Sequence, residues 1–423
     1  MSNLPSFNHD HNPLMQFIGG YLTTAQTQEN TNKLIGNVLM SGVPNEGQAL
    51  FIKNLLLQSL MENKSIVIFT NKDSLLNNSL TAFQQEMTGQ KKIWNLDFSN
   101  FSKSDTINPF SNLAVTEIKD LIMDILKQQR PMNETESINI GRYVNMIIKA
   151  LMSSNQSIKL NELIDYGDHR VAANLIMESG LPEGERQRTQ RFIKSFEFVV
   201  LYETYFDLIN EKGLGDIFSG EENIEDILNS GNILVITVEQ SINKESSEAT
   251  IQLLMKLLLK NFSNRKIDDG ALFVFDGIRM QNMDLFNNIL QLNQTNNVSS
   301  VFTVEDVSEQ IKLSGNQFID KCKTFAIFTQ SSNANCQYWS DFCGYHESTQ
   351  VSWGYSPNSN ETGKGKGGFG SQGVVERQEY RVTNMGTSKQ VKPIYRPEVF
   401  RALKAKELIL FSKTVNKKRK LSL

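Results

Sequence analysis

The sequence predicts an α/β protein: a mostly parallel sheet flanked by helices, interrupted by an inserted all-helical domain. Three observations carry this. Short runs of β-forming residues alternate with helical periodicity at both ends of the chain, as parallel βα units do. About 100 residues between them (113–208) carry helical periodicity and no convincing strand. The first strand–helix junction reads Gly42-Val-Pro-Asn45-Glu-Gly47-Gln48-Ala49, which has the G-x-x-x-x-G spacing of a phosphate-binding loop.

Taken in order, residues 1–32 are polar and are expected to be loosely ordered. Strands are expected at 34–40, 65–69 and 92–96, with helices at 50–61 and 75–87 between them. In the helical domain, Ile118, Leu121, Ile122, Ile125 and Leu126 recur at helical spacing, as do Ile140, Val144, Ile147, Ile148 and Leu151. The stretch 191–205 reads as a further amphipathic helix. Strand–helix alternation resumes with buried strands at 232–238 (NILVITV) and 271–276 (ALFVFD) around a Leu-rich helix at 248–262. A helix at 280–292, strands at 299–304 and 324–329, and a helix at 333–344 follow. Residues 353–373, rich in Gly, Ser and Asn, read as a mobile loop, with one arm of a hairpin at 374–382. A short helix at 396–403, a strand at 407–411 and a solvated basic tail, 413–423, close the chain.

Composition narrows the function. With 423 residues, 39% of them hydrophobic and 21% charged, the chain can fill two domains or one large domain with an insertion. A net charge of −3 and a pI near 6.0 advertise no global field for nucleic acid, so a plain DNA-binding module is disfavoured. No run of 18 apolar residues suggests a membrane span, and the first residues lack the charged and apolar regions of a secretory signal. Three cysteines argue against a disulfide framework and for a reducing cytoplasm. Cys336, Cys343 and His346 match no structural zinc spacing and read as buried thiols beside a lone histidine.

The candidate site is a phosphate loop without its chemistry. Gln48 stands where a lysine would reach the β/γ-phosphates, and Ala49 where a hydroxyl would ligate Mg²⁺. The glycine-rich turn could still bind an anion through backbone N–H groups. The strand ending in Asp276 supplies a Mg²⁺-side acid, but the following position, which would polarise the attacking water, is Gly277. After the strand 299–304, a polar residue that senses the γ-phosphate is replaced by Glu305, whose carboxylate would repel it.

The order of these segments resembles the VirD4/TraG/TraD-like coupling proteins of conjugation and type IV secretion, in the FtsK–HerA superfamily. The likeness runs from about residue 33 to 412. It rests on the phosphate loop with Asn54-Leu55-Leu56, and on IVIFTNK ending at Lys72. It continues through Ile107-Asn108-Pro109-Phe110 before the helical insertion, Leu272–Asp276, and VEDVSEQI over 304–311. Tyr338-Trp339-Ser340 with Gly344, and Pro397-Glu398-Val399 with Leu403, complete it. The resemblance implies a RecA-like core over 33–112 and 209–412, with residues 113–208 as a separate helical lobe. Gly42, Asn45, Gly47, Gln48, Ala49, Asp276 and Glu305 would then form a degenerate nucleotide site that binds ATP or ADP weakly or not at all. No arginine precedes the sensor strand over 290–297, and the transmembrane helices with which family members begin are not evident.

The expected role is therefore a catalytically inactive scaffold or substrate-recruiting subunit of a conjugation or secretion apparatus. The alternative is an active hexameric ATPase that pumps DNA or protein with a variant loop. Expected partners are other secretion proteins, among them an active coupling ATPase or a relaxase, with DNA as a further candidate. The expected location is cytoplasmic, with the inner membrane face reached only through partners and oligomer formation open.

Overall fold

The computed structural model describes residues 36–423 apart from 87–91, 130, 195–213, 230–231, 240–250, 252–253, 261, 263–269, 279–286, 288, 291–297, 316, 358–379 and 414–416. The N-terminal segment 1–32, most of the helix expected at 280–292 and the end of the one expected at 191–205 lie outside the described residues.

A nine-stranded sheet organises the chain. Its strands are β1 (Asn37–Ser41), β2 (Ser65–Asn71), β3 (Ile93–Asp97), β4 (Ile233–Val238), β5 (Ala271–Asp276), β6 (Val298–Val304), β7 (Thr324–Ile327), β10 (Glu407–Ser412) and β11 (Lys417–Ser422). The spatial order is β11-β10-β7-β1-β6-β5-β2-β4-β3. The seven strands from β7 to β3 are parallel, while β10 and β11 add antiparallel pairs at one edge. Helices on both faces of a parallel sheet leave no face for water. Accordingly β1 and β4 are buried at every position. Phe69, Phe275 and Phe302 occupy one register row of β2, β5 and β6 and stack with ring centroids 5.1 Å apart at each step. A one-residue slip would send any of these rings to the opposite face, so the ladder pins the register.

Between β1 and β3 lie α1 (Glu46–Met61) and α2 (Leu75–Glu86). The described residues between β3 and β4 contain helices and no strand: α3 (Val115–Gln129), α4 (Glu134–Ser153), α5 (His169–Glu178), α6 (Glu183–Lys194), α7 (Leu214–Ile217) and α8 (Ile224–Asn229). Helix α4 starts sharply because Asn133 and Glu136 form a reciprocal capping box. Ile122, Tyr143, Ile147 and Ile176 belong to one apolar cluster with Phe69, Phe275 and Phe302 of the sheet. Lys256 and Lys260, from a helical stretch beyond β4, pair with Asp124 and Glu117 of α3. The helical part thus makes apolar and ionic contacts with the sheet and its flanking helices.

After β6 come α9 (Val307–Ser314) and α10 (Gln317–Lys321), and after β7 comes α11 (Asn333–Cys343). Two expectations about the C-terminal region are corrected. Residues 353–357, expected in a mobile loop, end strand β8 (Tyr345–Pro357), which pairs antiparallel with β9 (Tyr380–Pro393) in a separate two-stranded ribbon; the rest of that expected loop lies outside the described residues. The basic tail is a strand, not an unstructured tail: Lys417–Ser422 form β11, the outermost strand of the main sheet, with Arg419 and Lys420 exposed on it. Its alternation hides Leu421 among four neighbouring cations, and Leu421 and Leu423 pack on the second apolar cluster. Helix α12 (Pro397–Arg401), with proline in its first turn, leads back from the ribbon to the sheet.

Candidate functional site

The C-terminal ends of β1, β6, β5 and β2 face a cleft of about 580 Å³. Ligands of open α/β sheets bind at such strand ends. Gly42, Asn45, Gln48, Ala49, Asp276 and Glu305 all line it; Gly47 belongs to the same loop but lies outside the lining.

Strand β1 ends at Ser41, and the chain turns through Gly42 at φ +136°, a conformation that glycine tolerates. The Gly42 amide donates to the Val304 carbonyl at 3.0 Å and the Val43 amide to the Thr329 carbonyl at 2.9 Å. Pro44 has no amide proton. Asn45 caps α1: its side chain accepts from the Gln48 amide at 3.0 Å. Four of the donors a phosphate would use are therefore committed or missing, leaving the amides of Asn45, Glu46 and Gly47 at the helix N-terminus. Gly47 is required by packing, since a Cβ there would overlap the carbonyl oxygen of Ala405, in the turn before β10.

Gln48 is buried, and its Nε2 donates to the Gly42 carbonyl at 3.1 Å. The side chain that stands in for the catalytic lysine closes the loop on itself. Ala49 offers only a methyl group where a metal-ligating hydroxyl would sit. A buried polar layer that sequence reasoning missed supports this loop. Gln330 donates to the Ser41 carbonyl at 3.0 Å and to the Phe328 carbonyl at 2.9 Å, and Trp339 Nε1 donates to Ser41 Oγ at 3.1 Å. Nothing in the local pattern announces it, because these partners are almost 300 residues apart.

Asp276 sits at the end of β5. Thr303 Oγ1 donates to it at 3.0 Å and Thr70 Oγ1 at 3.4 Å, and Ser74 Oγ makes a short bond to its Oδ2. Burial pushes the Asp276 carboxyl above its ordinary value, against the opposing pull of these hydroxyls. Gly277 follows at φ +65°, with its amide donating to Thr303 Oγ1 at 2.7 Å. A glutamate there would have to adopt a left-handed backbone. Glu305, at the end of β6, is exposed on the rim.

The cleft's charge is one-sided. Asp73, Asp276, Glu305, Asp306 and Glu309 line it, and among the described residues no lysine, arginine or histidine does. Lys72, the nearest retained basic position of the expected pattern, turns to Glu239 at 3.5 Å. At an effective dielectric of about 20, two like unit charges roughly 7 Å apart repel by about 2 kcal/mol. A Mg²⁺–triphosphate would meet that repulsion without a loop lysine or a loop hydroxyl at positions 48 and 49, and the Ser74 and Thr303 hydroxyls in the cleft are bound to Asp276. The described residues at positions 48 and 49 do not supply the groups that ligand uses.

No protein-family model matches this sequence, and no curated protein matches it. Solved structures do. The unbound bacterial conjugative coupling protein TrwB, lacking its first 70 residues, superimposes with a TM-score of 0.56 over 92% of this chain and 84% of its own, at 10% identity. The chain has the coupling-protein fold. TrwB in complex with ADP and Mg²⁺ matches at a TM-score of 0.54 and 10% identity, covering 92% of this chain and 85% of that one. VirB4 of Thermoanaerobacter pseudethanolicus matches at 0.50 and 12% identity, over 92% and 89%. The RecA-like core expected from the segment order is thus present.

The three cysteines are buried: Cys322 and Cys343 are fully enclosed, and Cys336 nearly so. Burial pushes the Cys322 thiol up to about 12, which makes it unreactive at neutral pH. Among the described residues no group of three or more potential ligands is placed to hold a metal, and no helix is long and apolar enough to cross a membrane.

Proposed function

We propose that this chain is a non-hydrolysing, coupling-protein-like component of a conjugation or type IV secretion apparatus, a scaffold or substrate-recruiting subunit that keeps the motor fold without the motor chemistry. The fold shared with TrwB and VirB4 supports the setting. The observation that supports the loss of chemistry is the cleft, lined among the described residues by five carboxylates and no cation, with Gln48 bound to the carbonyl of Gly42.

Electrostatic stabilisation of the transferred phosphoryl group is nearly all that such an enzyme contributes to the reaction. Here the cation, the metal-ligating hydroxyl and the water-polarising acid are gone together. Partners on this reading are other secretion proteins, including an active coupling ATPase or a relaxase, with DNA a candidate substrate. The chain then sits in the cytoplasm and meets the membrane's inner face through those partners. Calorimetric titration with ATP and Mg²⁺ tests the site: affinity weaker than about 1 mM is expected, and a Kd of about 10 µM or tighter, worth roughly 7 kcal/mol, would sink the reading.

A further inference from the structure

The cleft collects hydrogen-bond acceptors that the described residues leave unanswered. Three of its carboxylates, Asp73, Glu305 and Glu309, are exposed, and their side chains meet no cation and no hydrogen-bond donor among the described residues. Asp73 follows β2, whereas Glu305 and Glu309 follow β6, so they flank the end of β5 from either side. Asp306 is committed to capping α9, where it accepts from the Glu309 amide at 3.0 Å. Asp276 is bound to three hydroxyls. The positive end of α1 opposes these acids with roughly half an elementary charge, against three unpaired carboxylates. The field in the cleft is therefore negative.

A second observation does not depend on charge. Gln48 lines the cleft and is only 5% exposed. Its Nε2 is spent on the Gly42 carbonyl, while its Oε1 keeps accessible surface and has no donor among the described residues. Asn71 Oδ1, in the cleft wall, has no donor there either. An acceptor taken out of water and left unpaired carries a desolvation cost that a ligand's N–H recovers.

The shape of the site selects the class of cation. Among the described residues no three potential ligands converge to hold a metal ion. The acceptors are instead spread around a cleft of about 580 Å³, which has room for an extended organic molecule. Leu75, 44% exposed, and the Ala49 methyl group add apolar wall beside them. Such a wall suits the methylene stem of an amine or guanidine, whose charged head stays among the acceptors.

We propose, resting on the non-hydrolysing reading of this site, that the cleft binds an organic cation with ammonium or guanidinium groups on a methylene stem, in place of a nucleotide. One cationic head donates to Gln48 Oε1, and others pair with Asp73, Glu305 and Glu309 at the rim. A free polyamine and the lysine or arginine side chains of a partner protein offer the same groups.

Calorimetric titration of the full chain at low salt tests this, with spermidine as the free polyamine and a capped hexapeptide of one arginine, two lysines and three glycines as the side-chain source. Saturable binding of at least one probe is expected, and the tighter of the two identifies the source. Asp73→Asn with Glu305→Gln and Glu309→Gln, all at exposed positions, should weaken it roughly tenfold or more, as the loss of three exposed ion pairs would. Glu178→Gln with Glu222→Gln and Glu398→Gln, an equal change of charge outside the cleft lining, should weaken it by no more than about twofold, as screened distant charges do. No binding of either probe, or equal weakening by the two triple variants, overturns the proposal and leaves the non-hydrolysing reading standing. Displacement of the bound probe by an equal concentration of Mg²⁺ alone would show a metal site and overturn it too. Displacement by ATP with Mg²⁺ at a Kd of about 10 µM or tighter would instead overturn the reading on which it rests.

Discussion

A Cβ at Gly47 would overlap the Ala405 carbonyl, and one at Gly42 would lie 2.6 Å from the Thr329 carbonyl oxygen. Both motif glycines are thus held by packing, without appeal to a phosphate. Gly47→Ala should cost about 1–3 kcal/mol in urea unfolding, as overpacking does; an unchanged midpoint would mean that the turn at Ala405 yields freely. Asp276 gives a pH signature. Its carboxyl is raised in the fold, so the folded chain binds more protons than the unfolded one above the ordinary value of 3.8. Its contribution therefore favours the fold at acid pH and is lost as pH rises toward the raised value. Asp276→Asn should match or exceed the parent's Tm at pH 7, with any gain vanishing near pH 4. A variant markedly less stable at pH 7 than at pH 4, relative to the parent, would contradict the sign.

Buried parallel strands announce themselves as unbroken apolar runs, which is why ALFVFD and NILVITV were legible in sequence to within a residue. The C-terminal edge was not. KKRKLS carries one apolar residue in strand register, and its pairing with β10 depends on a turn and a neighbour that no local pattern encodes. The ribbon was half legible: glycine and serine in 353–357 read as loop, although the alternation around Trp353 is that of a strand. At the site, Gln48, Ala49 and Gly277 were legible because a motif fixes what should stand there. The Gln330–Ser41–Trp339 layer and the hydroxyls around Asp276 come together only through the fold. Strand β11 closes the edge of β10, and exposed strand edges invite aggregation. Ending the chain after Lys413 removes Leu421 and Leu423 from the second cluster and should cost roughly 2–4 kcal/mol. Thermal unfolding with light scattering checks this, and an unchanged Tm without aggregation would show β11 to be dispensable.

Seen whole, the molecule has the coupling-protein sheet, a helical insertion and a cleft whose described lining is acidic, opposite in sign to what a triphosphate needs. Restoring two positions with Gln48→Lys and Ala49→Thr should improve nucleotide affinity but give no turnover, since Gly277 and Glu305 still leave the γ-phosphate without a polarised water or a sensor. One preorganised donor to a transition state is worth about 2.7–4 kcal/mol, so on the proposed reading the absence of several leaves no measurable turnover. The decisive measurement is steady-state ATP hydrolysis by the purified chain in excess Mg²⁺, beside Asp276→Asn. No phosphate release above background is expected from either protein. Turnover of about 1 s⁻¹ or faster, the low end of ordinary enzyme rates, abolished by Asp276→Asn, would contradict it.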